Sequence, residues 1–209
     1  MKKSLQLLHR ATYRVLSILL ALALSACGEI TWQKRLPLVS QFNATKPANR
    51  PSVFLEVSYL YDLGDGIGPR PPLDSRTTQF KALVEKVTEE SSLFSSIGDD
   101  PNNVDLRIKI DYLGIVEFNN PIGSPTGHAL TPGFSRKNYN QIWKIKATVT
   151  DRSQSTIGAY EVEDEVTVRG GAFIATSVWW NPGVFSQGLE NMVRNIYQKM
   201  LDDKLLSRP

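Results

Sequence analysis

Residues 104–113 read VDLRIKIDYL, and apolar and polar side chains alternate there without a fault. Val104, Leu106, Ile108, Ile110 and Tyr112 fall on one side, with Asp105, Arg107, Lys109 and Asp111 on the other. A period of two fits a strand with one dry face and one wet face. Such a strand needs a layer over its dry side. The same period returns over 140–150, with Trp143, Ile145, Ala147 and Val149 on one face, and over 158–169, with Tyr160, Val162, Val166 and Val168. Residues 151–157 turn the chain between them. Setting Asp151 opposite Thr156 brings Lys146 to face Glu161 and Lys144 to face Glu163. Facing pairs of opposite charge are worth roughly 0.2–1 kcal/mol each. That register also puts Asp164 on the apolar face, opposite Trp143. It reads there as an acid at a frayed edge or bonded to the indole N–H, in preference to a functional acid.

The covering layer is legible as two helices. Over 75–91, Phe80, Leu83, Val84 and Val87 recur at helical spacing, and Asp74 or Ser75 is placed to cap the N-terminus. Near the C-terminus Leu189, Met192, Val193, Ile196, Tyr197, Met200 and Leu201 form one wide apolar stripe, with Arg194, Lys199 and Asp202 on the wet side. A further strand spans 52–61: Val53, Leu55, Val57 and Tyr59 share a face, while Phe54 and Leu60 suggest cover on the other. The predicted fold is α+β, a four-stranded, mostly antiparallel sheet with two helices packed on one face, in the order β-α-β-β-β-α.

The chain opens differently. Lys2, Lys3, Arg10 and Arg14 precede the apolar run VLSILLALAL at 15–24, and small residues lead to Cys27, the single cysteine. A positive start, a short apolar core and a small-residue cleavage site make a secretory signal. The run is about half of the ~20 residues that span a bilayer. Leu24-Ser25-Ala26-Cys27 closely resembles the lipobox of bacterial lipoproteins. That resemblance implies diacylglycerol on the Cys27 thiol, cleavage before it and acylation of the new amine. Acyl chains contribute ~0.8 kcal/mol per buried methylene, so two or more make a lasting anchor. Gly28 stands where an Asp would favour inner-membrane retention in enterobacterial lipoproteins, which implies the periplasmic face of the outer membrane.

The expected organisation is a signal peptide at 1–26, a lipidated tether at 27–51 and one periplasmic domain at 52–206. The tether holds Pro37, Pro47 and Pro51, shows no period, and would reach roughly 25–30 Å. The formal charge of +3 belongs to the leader: without its four bases, 20 basic residues face 21 acidic ones. A nucleic-acid partner needs a basic surface, and none is expected.

Candidate chemistry is sparse. His9 leaves with the leader, and His128, in a Pro/Gly-rich stretch, is then the one remaining histidine. One His without a second ligand type makes no ordinary zinc site, and no GxSxG elbow precedes a helix. The glycines at 64, 66 and 68 follow a strand, but Pro69, Pro71 and Pro72 break the strand–turn–helix context of a phosphate loop. No cofactor, metal or small-molecule substrate is expected, and no enzyme activity. Two loops stand out instead. Residues 114–139 form a long Pro/Gly/Asn-rich stretch. Residues 171–185, GAFIATSVWWNPGVF, carry no charge at all. Phe173, Ile174, Val178, Trp179 and Trp180 are the expected partner-binding residues, with Val184 and Phe185 leading into the last helix. Adjacent Trp179 and Trp180 in extended chain cannot both point inward. Strand directions bring both loops, and 62–72, to one end of the sheet. The tether at residue 51 enters at the other end, so the aromatic end is expected to face away from the anchor.

Lipobox, tether and element order over 52–206 together resemble the lipopolysaccharide-assembly lipoprotein type, the auxiliary lipoproteins of ABC-type lipid transporters and the lipoprotein activators of penicillin-binding proteins. The resemblance implies a non-enzymatic adaptor or assembly factor with an envelope protein partner. The alternative is a lipid- or lipopolysaccharide-binding component of a transport system, with Arg136, Lys137 and Arg169 as headgroup contacts.

Overall fold

The computed structural model describes residues 29–42, 49–72, 75–118, 138–169 and 182–207. The elements are β1 (Glu29–Lys34), β2 (Val53–Asp62), α1 (Arg76–Ser91), β3 (Leu106–Phe118), β4 (Asn138–Asp151), β5 (Thr156–Arg169) and α2 (Pro182–Asp202), closed by a 3-10 turn at Leu205–Ser207. The fold is α+β. Among the described residues the sheet has five strands, in the order β1-β5-β4-β3-β2, which corrects the expected four. It is mixed: β2 pairs with β3 in parallel and the other pairs are antiparallel.

The alternating positions face inward as their period requires. Ile108, Ile110 and Tyr112 of β3, Ile145, Ala147 and Val149 of β4, and Val162 and Val166 of β5 are buried. They form one core with Phe80, Val84 and Val87 of α1 and with Leu189, Met192, Val193, Ile196, Tyr197, Met200 and Leu201 of α2. Both helices therefore cover the same face. They are tied to each other by Thr88, whose Oγ1 lies 2.6 Å from Tyr197 Oη in the core. Burial pushes the Tyr197 phenol well above its ordinary pKa, so it stays neutral. Arg194 does not lie on a wet face. Its largely covered side chain bridges Glu90 of α1 at 2.8 Å and Glu190 at 3.0 Å.

Several sequence expectations are corrected in detail. The β4–β5 register holds from Asn138↔Arg169 to Val149↔Gly158, with Lys146 facing Glu161 and Lys144 facing Glu163. A register shift at the turn then sets Thr150, and not Asp151, opposite Thr156. Asp151 Oδ1 instead accepts from Ser153 Oγ and the Ser155 N–H, closing the turn. β3 does not stop at 113. Gly114 is an interior strand residue whose missing side chain makes room for Tyr112, since a Cβ there would sit 2.8 Å from Tyr112 Oη. Ser75 occupies the N-cap of α1 without a capping bond; its Oγ accepts from Gln79 Nε2.

The largest correction concerns residues 27–51. Glu29–Lys34 is not tether but the edge strand β1, antiparallel to β5, from Glu29↔Arg169 to Lys34↔Glu165. Beyond it, residues 35–42 lie along α2, with Leu36 and Phe42 packed on the core. The chain thus leaves one edge of the sheet at Lys34 and forms the opposite edge from Val53. β1 begins beside Arg169, where β5 ends. The expectation that the aromatic end points away from the anchor falls on Cys27 and on residues 173–180, which lie outside the described residues; the register places only the start of β1 at the end of the sheet where β5 finishes.

Candidate functional site

Five strand termini and one helix start define the loop end of the domain. β2 ends at Asp62, β3 at Phe118 and β5 at Arg169, while β4 starts at Asn138 and β1 at Glu29. α2 starts there as well, since it returns antiparallel to β5. The segments 119–137 and 170–181 connect elements at this end. Cys27, Phe173, Ile174, Val178, Trp179 and Trp180 lie outside the described residues, as do His128, Arg136 and Lys137. Of the charge-free run, Phe185 is described: it packs on the core, with its ring edge-on to Trp143 at 5.1 Å and to Tyr112 at 6.2 Å.

The glycine loop after β2 is a built tip. Gly64, Gly66 and Gly68 all have positive φ, which side-chain-bearing residues adopt only at a cost. Tyr61 and Arg70 exchange backbone hydrogen bonds of 3.0 Å at the loop's base. Arg70 also pairs with Asp65 and stacks over the Tyr61 ring. That pairing holds the Asp65 carboxyl below its ordinary range. Between these clamps Ile67 is 74% exposed. These glycines serve turn geometry, as their spacing before three prolines predicts.

Two apolar surfaces adjoin this tip. On the helix side Tyr59, Phe80, Leu83, Phe185 and Leu189 line a cleft of about 170 Å³, with Arg76 beside them. On the open side of the sheet Leu60 pairs with Leu113, and Ile115 with Ile142. All four are half-buried. Strand alternation places them on the face opposite the helices. Leu60 was legible in the sequence. Leu113 and Ile115 were not, because Gly114 reads as a break, although apolar residues on both parities of 113–116 carry the signal.

A buried polar cluster fastens the N-terminal segment. Asp164 is 1% exposed and sits opposite Trp143, as the register predicts. Its bond is not to the indole: Trp143 Nε1 donates to Gln141 Oε1 at 3.3 Å. Asp164 Oδ1 accepts the Leu36 N–H at 2.6 Å. Oδ2 and Gln141 Nε2 are buried without a hydrogen bond. Burial pushes the Asp164 carboxyl up, opposed by the Leu36 amide. From α2, Asn191 Oδ1 accepts the Val39 N–H at 3.0 Å, and Asn195 Nδ2 donates to Pro37 O at 2.9 Å. Lys34 and Lys144 both bond Glu163, at 2.9 and 3.0 Å, and lower its pKa. The polar cluster is thus a fastening. Its one deeply buried acid is spent on a backbone amide.

Among the described residues no three His, Cys, Asp or Glu side chains gather as metal ligands, and no helix is long and apolar enough to cross a membrane. No protein-family model and no curated protein sequence matches the chain. Among solved structures it is similar to a minor lipoprotein from Acinetobacter baumannii, at 8% identity and TM-score 0.47 over 78% of this chain and 100% of that one. It is also similar to uncharacterized lipoprotein B from Nitrosomonas europaea, at 10% identity and TM-score 0.46 over 82% and 94%. A DUF4136 family protein from Bacteroides thetaiotaomicron aligns at 11% identity and TM-score 0.33 over 87% and 98%.

Proposed function

We propose that the chain is a lipid-anchored, non-enzymatic cell-envelope lipoprotein, acylated at Cys27 and held on the periplasmic face of the outer membrane. It works as an adaptor or assembly factor. The observation that carries this reading is the sequence Leu24-Ser25-Ala26-Cys27 behind a positive, then apolar, leader. The placement of β1 is consistent with it, because a regular strand starts two residues past the cleavage position. Docking on an envelope protein is assigned to Phe173, Ile174, Val178, Trp179 and Trp180. The half-buried pairs Leu60–Leu113 and Ile115–Ile142 support an apolar partner face beside the same end.

The second reading, a lipid- or lipopolysaccharide-binding component, is favoured by the apolar helix-side cleft with Arg76 beside it. At about 170 Å³ that cleft is smaller than the ~300 Å³ at the low end for ligand pockets, so the adaptor reading stands first.

Mass spectrometry of the processed protein tests the anchor. A diacylglyceryl cysteine at the new N-terminus is expected, and a free thiol or a cytosolic protein rejects the reading. In-cell crosslinking from positions 179 and 180 tests the docking. A defined envelope protein should be captured and lost from the Trp179→Ser/Trp180→Ser variant. An unchanged partner set counts against the adaptor role.

A further inference from the structure

The lipid anchor and the loop end of the sheet lie within two residues of each other. Glu29 pairs with Arg169 at the last described position of β5. Two residues of chain span at most ~7 Å. The headgroup layer of one leaflet is itself roughly 5–8 Å thick, half the difference between a whole bilayer and its hydrocarbon core. If Cys27 carries acyl chains, the start of β1 stands in or against that layer. A long tether would leave the domain free to turn over, but here Gly28 alone lies between the anchor residue and a strand built into the sheet.

The described glycine loop at this end is shaped to meet a surface. β2 is short of its neighbours, because Asp62 pairs with Ile115, three residues before the end of β3. The clamped glycine loop makes up the difference, with Gly64 resting against the backbone oxygen of Val116. Its tip presents Ile67, one of two large apolar residues described as exposed; the other, Leu38, lies on the flank beside α2. Exposing Ile67 leaves a large aliphatic side chain in water, so a second phase that receives it would recover part of that cost. Across five strands at ~4.8 Å spacing, β1 and the Ile67 loop are roughly 19 Å apart, two feet of one platform.

We infer that the domain stands with its loop end on the phospholipid surface that holds the Cys27 acyl chains, with Ile67 set into the headgroup boundary. This rests on the anchoring reading above and adds an orientation to it. The opposite end, with the 151–156 turn and the C-terminus of α2, then points into the periplasm, about 45 Å away along the 14 residues of β5. The open-face pairs at Ile115–Ile142 lie about four residues, or ~13 Å, below the sheet end, clear of the headgroups and open to a protein partner.

The test uses full-length, acylated protein in phosphatidylethanolamine/phosphatidylglycerol vesicles. An environment-sensitive fluorophore is placed on an added cysteine, since the acylated Cys27 thiol is blocked. Ile67→Cys and Pro69→Cys label the loop; Asp203→Cys labels the far end. Brominated lipids should quench most of the emission from 67 or 69 and leave that from 203 unchanged. Quenching at 203, or at none of the three while the N-terminal peptide is acylated, overturns the orientation alone. An unmodified Cys27 in that sample rejects the anchor itself, and the orientation with it.

Discussion

Asp164 is a carboxyl group whose two oxygens meet different surroundings. One receives the Leu36 amide, and the other is buried without a hydrogen bond. Desolvation dominates, so the folded protein holds this proton more tightly than an unfolded chain at the ordinary value of 3.8. The group therefore favours folding below 3.8, and that advantage is lost as pH rises through its own higher pKa. Glu163 has the opposite sign. Its bonds to Lys34 and Lys144 help above 4.5 and are lost as pH falls through its lowered pKa. The difference between Asp164→Asn and the parent cancels the Glu163 contribution. Urea denaturation from pH 3 to pH 7 should show that difference moving in favour of Asn as pH rises. A difference independent of pH would refute the raised pKa.

Gly188 is the other residue on which this region turns. A Cβ there would sit 2.6 Å from Trp143 and 3.1 Å from Trp32. Those two rings meet edge to face at 5.5 Å, and neither is a flexible chain end that swings aside. Gly188→Ala would gain helix propensity of ~1 kcal/mol. The overpacking it forces costs about 1–3 kcal/mol. The net expectation in thermal denaturation is a lower Tm, by a few degrees. A raised Tm would mean that the rings are less closely held than described.

Among the elements, β3, β4, β5 and α2 were legible because each repeats its period over ten residues or more. β1 was not. Six residues offer two apolar positions, Ile30 and Trp32, too few for a period to declare itself. The strand exists because Trp32 finds Trp143 and because Lys34 shares Glu163 with Lys144. None of those partners is local: Lys34 and Glu163 are 129 positions apart. The strap at 36–39 was hidden for the same reason, since its bonds go to Asn191 and Asn195 on a helix face that reads as merely polar. β1 also covers the edge of β5. A chain beginning at Arg35 should expose that edge, which pairs readily with other edges. Sedimentation should show it self-associating more strongly than the chain that retains β1; an unchanged mass would show the edge to be protected by other means.

At the scale of the whole molecule, the sequence showed that unusual loops gather at one end, and strand directions were enough to read it. It missed the strand at Glu29–Lys34, because a tether was assumed there. Its candidate contact residues at 173–180 lie outside the described residues, while the apolar features that are described, Ile67 and the Leu60, Leu113, Ile115 and Ile142 face, belong to the same end.

The pairing of β1 with β5 also orders events in time. The first described strand finds its partner only in the last one, so it cannot zip shut until nearly the whole polypeptide is available. On the anchored reading, Cys27 spends that interval on a slack stretch of backbone, open to the enzymes that trim and acylate it. Completion of the sheet then draws the finished N-terminus in against the folded body.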